Sequence, residues 1–173
     1  MTPDELGDNL ARLVWESFSD FIADGDSEIA LREFGVTLED GAPDTHAVEE
    51  ALIFLMWAHT RGVQLAFVGR APDDLVRRGL DALHQAVFED MAEHGTPESQ
   101  LPLFEVRVGA RYAEYHAAAE TSDESLGEAV MVHLMDRSNG DGRHPGLARA
   151  VADRAIAVTG PLRDFLEEVE LVD

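Results

Sequence analysis

The sequence predicts an all-α fold, an irregular bundle of five principal helices with one or two short ones. Three observations carry that prediction. Apolar residues recur at three- and four-residue spacing along most of the chain. Helix start signals, a Thr followed three residues on by Glu or a Pro at the first helical position, precede those stripes. Gly-, Pro- and Asp-rich punctuation separates them, and no pair of alternating segments offers itself as partner strands.

The first helix is expected over Pro3 to Ala23. Thr2-Pro3-Asp4-Glu5 is a capping box, with Thr2 as N-cap and Glu5 reaching back to it. Its stripe is Leu6, Leu10, Leu13, Val14, Phe18, Phe21 and Ile22, and Asp24-Gly25-Asp26 stops it. Ser27 to Gly35 reads as a short helix, and Glu39 to Thr45 as a loop broken by Gly41 and Pro43. A second long helix is expected from His46 to Val68, with Glu49 and Glu50 in its first turn complementing the dipole. Its middle, Leu52 to Trp57, is apolar all round, which places it at the centre of the fold.

Pro72 opens a third helix, and Gly95 suits the position just past its end. Gly79 inside it either weakens the helix by about 1 kcal/mol or permits a close crossing. After a short turn at Thr96-Pro97-Glu98, a fourth helix is expected from Pro102 to Glu120, although Val106 and Val108 locally favour strand. Thr121 and Glu124 form a second capping box for a fifth helix through Met135. Arg137 to Arg143 is the most loop-like stretch. Pro145 opens a sixth helix to Val158, and Gly160-Pro161 ends it and starts a last short one. No repeat or linker divides residues 1–173, so one helical domain is expected.

Composition bounds the setting. The 173 residues include 35 acids against 13 basic residues, all of them arginine, for a net charge of −22. With 45% hydrophobic residues, the chain is too apolar for a disordered acidic tail. Self-repulsion at this charge destabilises the compact state in dilute salt. At molar salt the Debye length falls to about 3 Å and the penalty fades. A lysine-free, acid-rich surface therefore suits a salt-rich cytoplasm, and a GC-rich genome accounts for part of the arginine bias. Such a surface repels phosphate backbones and anionic lipid, so neither a nucleic acid nor a membrane is expected as partner. No basic and apolar leader opens the sequence, and the longest apolar run, Ala51 to Ala58, is far short of the about 20 residues that a membrane span needs.

Several chemistries are excluded. The chain has no cysteine, which removes disulfides, thiolate metal sites and cysteine nucleophiles. Without lysine there is no Schiff base, and neither a Walker pattern nor Gly-x-Gly-x-x-Gly occurs. No Gly-x-Ser-x-Gly marks a serine nucleophile. The segment Asp136 to Gly142 fails as a calcium loop, because aligning Gly142 at position 6 puts Arg137 at position 1 and Ala148 at position 12.

The remaining candidates are His59, His84, His116 and His133, mid-helix on four different helices. His59 and His133 continue apolar stripes, and His84 lies at the edge of one. Inward imidazoles on several helices are how bundles build metal or haem sites. However, neither Glu-x-x-His nor His-x-x-x-His occurs in these helices, so hydrogen-bonded core histidines are expected. Arg70, Arg77 and Arg78 are the one local basic concentration. They read as partners of Asp73, Asp74 and Asp81 along the helix, with an anion pocket as the alternative.

Leu83-His84-Gln85-Ala86-Val87-Phe88-Glu89-Asp90-Met91 resembles a helix of the ubiquinol–cytochrome c chaperone family. The pattern is generic for amphipathic helices, and no function is carried over from it.

The expectation is a non-enzymatic interaction, adaptor or chaperone-like regulatory module without cofactor. It would act through apolar helix faces on a protein partner or as a homodimer. The alternative is a ligand- or metal-binding bundle, with or without enzymatic activity, using His59, His84 and His133.

Overall fold

A computed structural model describes residues 1–23, 38–39, 42–43, 45–135 and 145–173. The fold is all-α. Six helices are described: α1 Pro3–Ala23, α2 Thr45–Phe67, α3 Asp73–Glu93, α4 Leu101–Thr121, α5 Asp123–Leu134 and α6 Pro145–Glu167. The expected short helix from Ser27 to Gly35 and the glycine-rich segment after Asp136 lie outside the described residues.

α1 opens as the capping box dictates. The Thr2 amide donates to Glu5 Oε2 at 2.8 Å, and the Glu5 amide donates to Thr2 Oγ1 at 3.3 Å. These bonds hold the exposed Glu5 carboxyl below its usual range. Leu6, Leu10, Val14 and Phe21 are buried, mainly against α3. Two glycines set that crossing. A Cβ at Gly7 would lie 2.5 Å from the Ala82 Cβ, and one at Gly79 would lie 2.7 Å from Leu6 Cδ2. Of the two roles open to Gly79, close packing is the one found.

Between α1 and α2, where no strand was expected, Leu38–Glu39 (β1) pairs antiparallel with Ala42–Pro43 (β2), Leu38 opposite Pro43 and Glu39 opposite Ala42.

α2 is the central element, touching every other helix. Every residue from Ala51 to Thr60 is buried, as its all-round apolar sequence implies. Each fully buried Leu, Ile or Phe there contributes about 1.5–3 kcal/mol. Its first turn differs from expectation. The helix begins at Thr45, so Glu49 and Glu50 sit beyond the first turn and serve side chains of α4 rather than the dipole.

The α2–α3 corner turns at Gly69, whose φ of +70° suits glycine. Pro72 is the N-cap of α3 rather than its first helical residue, so the helix starts one residue later than expected, with Asp73 and Asp74 in the first turn. α3 ends in a Schellman motif. The Thr96 amide donates to Met91 O at 2.9 Å and the Gly95 amide to Ala92 O at 3.2 Å, with Gly95 at φ +100°.

α4 keeps Pro102 in its first turn, where the missing N–H costs nothing, and stays helical through Val106 and Val108. It runs one residue further than expected, through Thr121, so Ser122 and not Thr121 caps α5. Ser122 Oγ accepts from the Ser125 amide at 3.0 Å, while Thr121 Oγ1 donates back to Ala117 O at 3.2 Å.

α6 departs most from the sequence reading. Gly160-Pro161 does not end it, and the helix runs unbroken to Glu167. Proline lacks its own donor and crowds the carbonyl four residues back, that of Ala157, which lies on the exposed side. The buried stripe of Ala148, Val151, Ala152, Ala155, Leu162 and Leu166 continues across the Gly-Pro pair, and its burial outweighs the local penalty.

Candidate functional site

Among the described residues, two polar features stand out in and beside the apolar interior, and both use α4. The first is a charged seam where α2 meets α4. Glu49 pairs with Arg107, and Glu50 with Arg111. The second pair is bidentate, Arg111 Nε to Glu50 Oε2 at 2.9 Å and Nη2 to Oε1 at 3.0 Å. Glu50 is fully buried (0% exposed), so the fork answers a carboxylate with no access to water. Hydrogen bonding to Glu50 raises the Arg111 pKa further. The seam follows from spacing: Arg107 and Arg111 stand one turn apart on α4, facing adjacent residues of α2. No single helix contains this signal, so sequence reasoning did not find it.

Tyr115 and Trp57 lie beside the seam, both fully buried, with ring centroids 5.8 Å apart. Among the described residues, neither Trp57 Nε1 nor the Tyr115 hydroxyl has a protein hydrogen-bond partner. Burial, then the nearby Glu50 carboxylate, pushes the Tyr115 hydroxyl pKa far up, so it stays protonated. Trp57 also lines a cavity of about 50 Å³ with Arg61, Asp123 and Thr159, room enough for ordered water.

The second feature is a cleft of about 660 Å³ between α3 and α4. At its side His84 Nε2 meets the Tyr112 hydroxyl at 2.9 Å, and that hydroxyl lies 3.4 Å from Thr60 Oγ1 on α2. His84 Nδ1 sits 2.6 Å from Leu80 O, a carbonyl that can only accept, so Nδ1 carries the proton. In the neutral ring that burial favours, Nε2 accepts and Tyr112 donates. Desolvation keeps the His84 pKa below its usual value, against the raising effects of Leu80 O, Asp81 and Glu105. Burial raises that of Tyr112, so both groups are neutral near pH 7.

The other histidines lie elsewhere. His59 is 3% exposed, with Nδ1 at 2.8 Å from Leu55 O, and desolvation depresses its pKa. His116 packs against Trp57, where burial and then Arg61 lower its pKa. His133 faces α4, its Nε2 at 2.7 Å from Glu114 Oε2 and its ring beside Tyr115. Among the described residues, no three His, Asp or Glu side chains gather as a metal's ligand shell requires. His59, His84 and His133 each have their own local partner.

The basic concentration also departs from expectation. Arg70 turns away from Asp73 and Asp74 and binds the carbonyl end of α6, reaching Leu166 O at 3.3 Å and Glu167 O at 2.6 Å as well as Ala66 O at 3.1 Å. Arg78 pairs with Asp173 rather than Asp81. Cations are favoured at a helix's carbonyl end, and Arg70 takes that place at α6 instead of pairing with exposed carboxylates near it in sequence.

No helix among the described residues is long and apolar enough to cross a membrane. No family model, curated protein or solved structure matches this chain.

Proposed function

We propose that this chain is a non-enzymatic interaction module of a salt-rich cytoplasm, and that it works through the solvent face of α4. One observation carries the reading. Along α4, Leu103, Val106, Ala110, Ala113 and Ala117 recur at helical spacing on the outward side, with Leu103 68% and Val106 73% exposed. Such a stripe at i, i+3, i+7 normally faces a partner.

A second copy of the chain is the occupant. The stripe is bulky at its N-terminal end and flat at its C-terminal end. An antiparallel two-fold pairing about Ala110 lays Leu103 of one copy over Ala117 of the other and brings each Val106 near the other's Ala113, bulky on small. Each copy carries a net charge of −22, so the pairing is repelled in dilute salt and released by screening in concentrated salt.

Light scattering after size exclusion tests this. The expected result is a dimer in molar salt that dissociates as salt falls, and a monomer for Val106→Glu under all conditions with an unchanged helical spectrum. A wild-type monomer in molar salt at about 100 μM, far above the dissociation constant of a specific homodimer, refutes it.

A further inference from the structure

The α3–α4 cleft has the chemistry of a binding site that the outward face of α4 does not use. Its volume of about 660 Å³ falls within the range of small-molecule sites, about 300–1,000 Å³. Its walls are apolar and aromatic: Phe88, Leu101, Val108 and Tyr112 line it, with the His84 ring 5.4 Å from Tyr112 and 6.4 Å from Phe88. Its charged members are all of one sign, Asp81, Glu89 and Glu105, and no arginine lines it. Burial holds the imidazole neutral near pH 7, with Nδ1 protonated against Leu80 O and Nε2 accepting from Tyr112, so it adds no positive charge.

Gly109 supplies a separate observation. It sits mid-helix, where glycine costs about 1 kcal/mol relative to alanine. No packing requires it, since a Cβ there would meet no atom within 4 Å, unlike those at Gly7, Gly79 and Gly127. It lines the cleft, and a side chain at this position would narrow it.

We propose that this cleft binds a small organic cation, an ammonium group carried on an apolar or aromatic body. The apolar body packs between Phe88, Leu101 and Val108. The cation sits against the aromatic rings and the carboxylates of Asp81, Glu89 and Glu105, an arrangement that attracts quaternary and alkyl ammonium groups. The same carboxylates, with no basic group to oppose them, reject anions of similar shape. This reading does not rest on self-association: Val106→Glu removes the dimer and leaves every lining residue in place.

Titration with benzyltrimethylammonium, followed by amide NMR at constant ionic strength, tests it. Phenylacetate, with the same ring and the opposite charge, is the control. The expected result is saturable shifts confined to α3 and α4 with a dissociation constant of about 1 mM or tighter, and none from phenylacetate. Gly109→Leu should weaken binding at least about tenfold while keeping or raising the melting temperature, because leucine favours helix over glycine. Glu89→Gln with Glu105→Gln should weaken it by about threefold to tenfold, the range for exposed charges. Unmoved resonances at 10 mM ligand, equal shifts from phenylacetate, or wild-type affinity in either variant would each overturn the proposal.

Discussion

Gly127→Ala should destabilise this protein strongly, although alanine is the better helix former. A Cβ at Gly127 would lie 1.9 Å from the carbonyl oxygen of Ala148, 2.5 Å from its carbonyl carbon and 2.9 Å from its Cα. All three atoms belong to the α6 backbone, so no side chain can rotate out of the way. α5 and α6 must separate, which opens the interface formed by Val130, Leu134, Val151 and Ala155. Overpacking of this kind costs about 1–3 kcal/mol where side chains can adjust, and more where backbone must move. The helix-propensity gain of about 1 kcal/mol offsets only part of it. A net loss of about 2–4 kcal/mol is expected, a drop in melting temperature of roughly 5–15 °C for a chain this size. Gly109→Ala is the matched control: nothing lies within 4 Å of its Cβ, so it should gain about 1 kcal/mol. Thermal and urea unfolding followed by circular dichroism at fixed salt measure both. A Gly127→Ala protein as stable as wild type, or a destabilised Gly109→Ala, would refute the reasoning from backbone approach.

Two further outcomes are expected. Stability should fall as pH drops below about 6.5, because His59 and His84 are held neutral by burial while the unfolded chain takes up protons there. Their contribution is complete above the unfolded value and is lost downward through the depressed folded ones, at up to about 1.4 kcal/mol per pH unit for each. Urea unfolding from pH 7 to 5.5 should show that slope, and His59→Gln should flatten it; an unchanged slope in the variant counts against the assignment. Arg111→Met should cost about 3 kcal/mol, since it strands the Glu50 carboxylate. Adding Glu50→Leu should recover most of that loss, and a double variant as unstable as the single one would contradict the pairing.

The helices themselves were legible. Thr2 and Glu5 state where α1 begins, Gly95 states where α3 ends, and the apolar middle of α2 states that it is central, because each signal acts within a few residues. The sequence misled where local and distant forces compete. Gly160-Pro161 looks like a stop, yet Leu162 and Leu166 gain more from the core than the backbone loses. Thr121 looks like a cap, yet the next residue serves and Thr121 bonds backward. The candidate sites were harder still. His84 was visible as a histidine at a stripe's edge, but its donor Tyr112 belongs to another helix, and so do the arginines that answer Glu49 and Glu50. Only packing creates such pairs.

Arg70 shows what an arginine-only alphabet provides mechanically. Its planar guanidinium buckles two helix ends together, one nitrogen bonded to Ala66 O at the end of α2, the other to Glu167 O at the end of α6, and both to Leu166 O. Arg111 uses the same planar fork to seize both oxygens of Glu50. In each place the shape of the cation matters more than its charge. An ammonium presents a single nitrogen and cannot span those acceptors. Replacing either residue by lysine would keep the net charge and still loosen the joint, so at these two positions the missing amino acid is a matter of geometry.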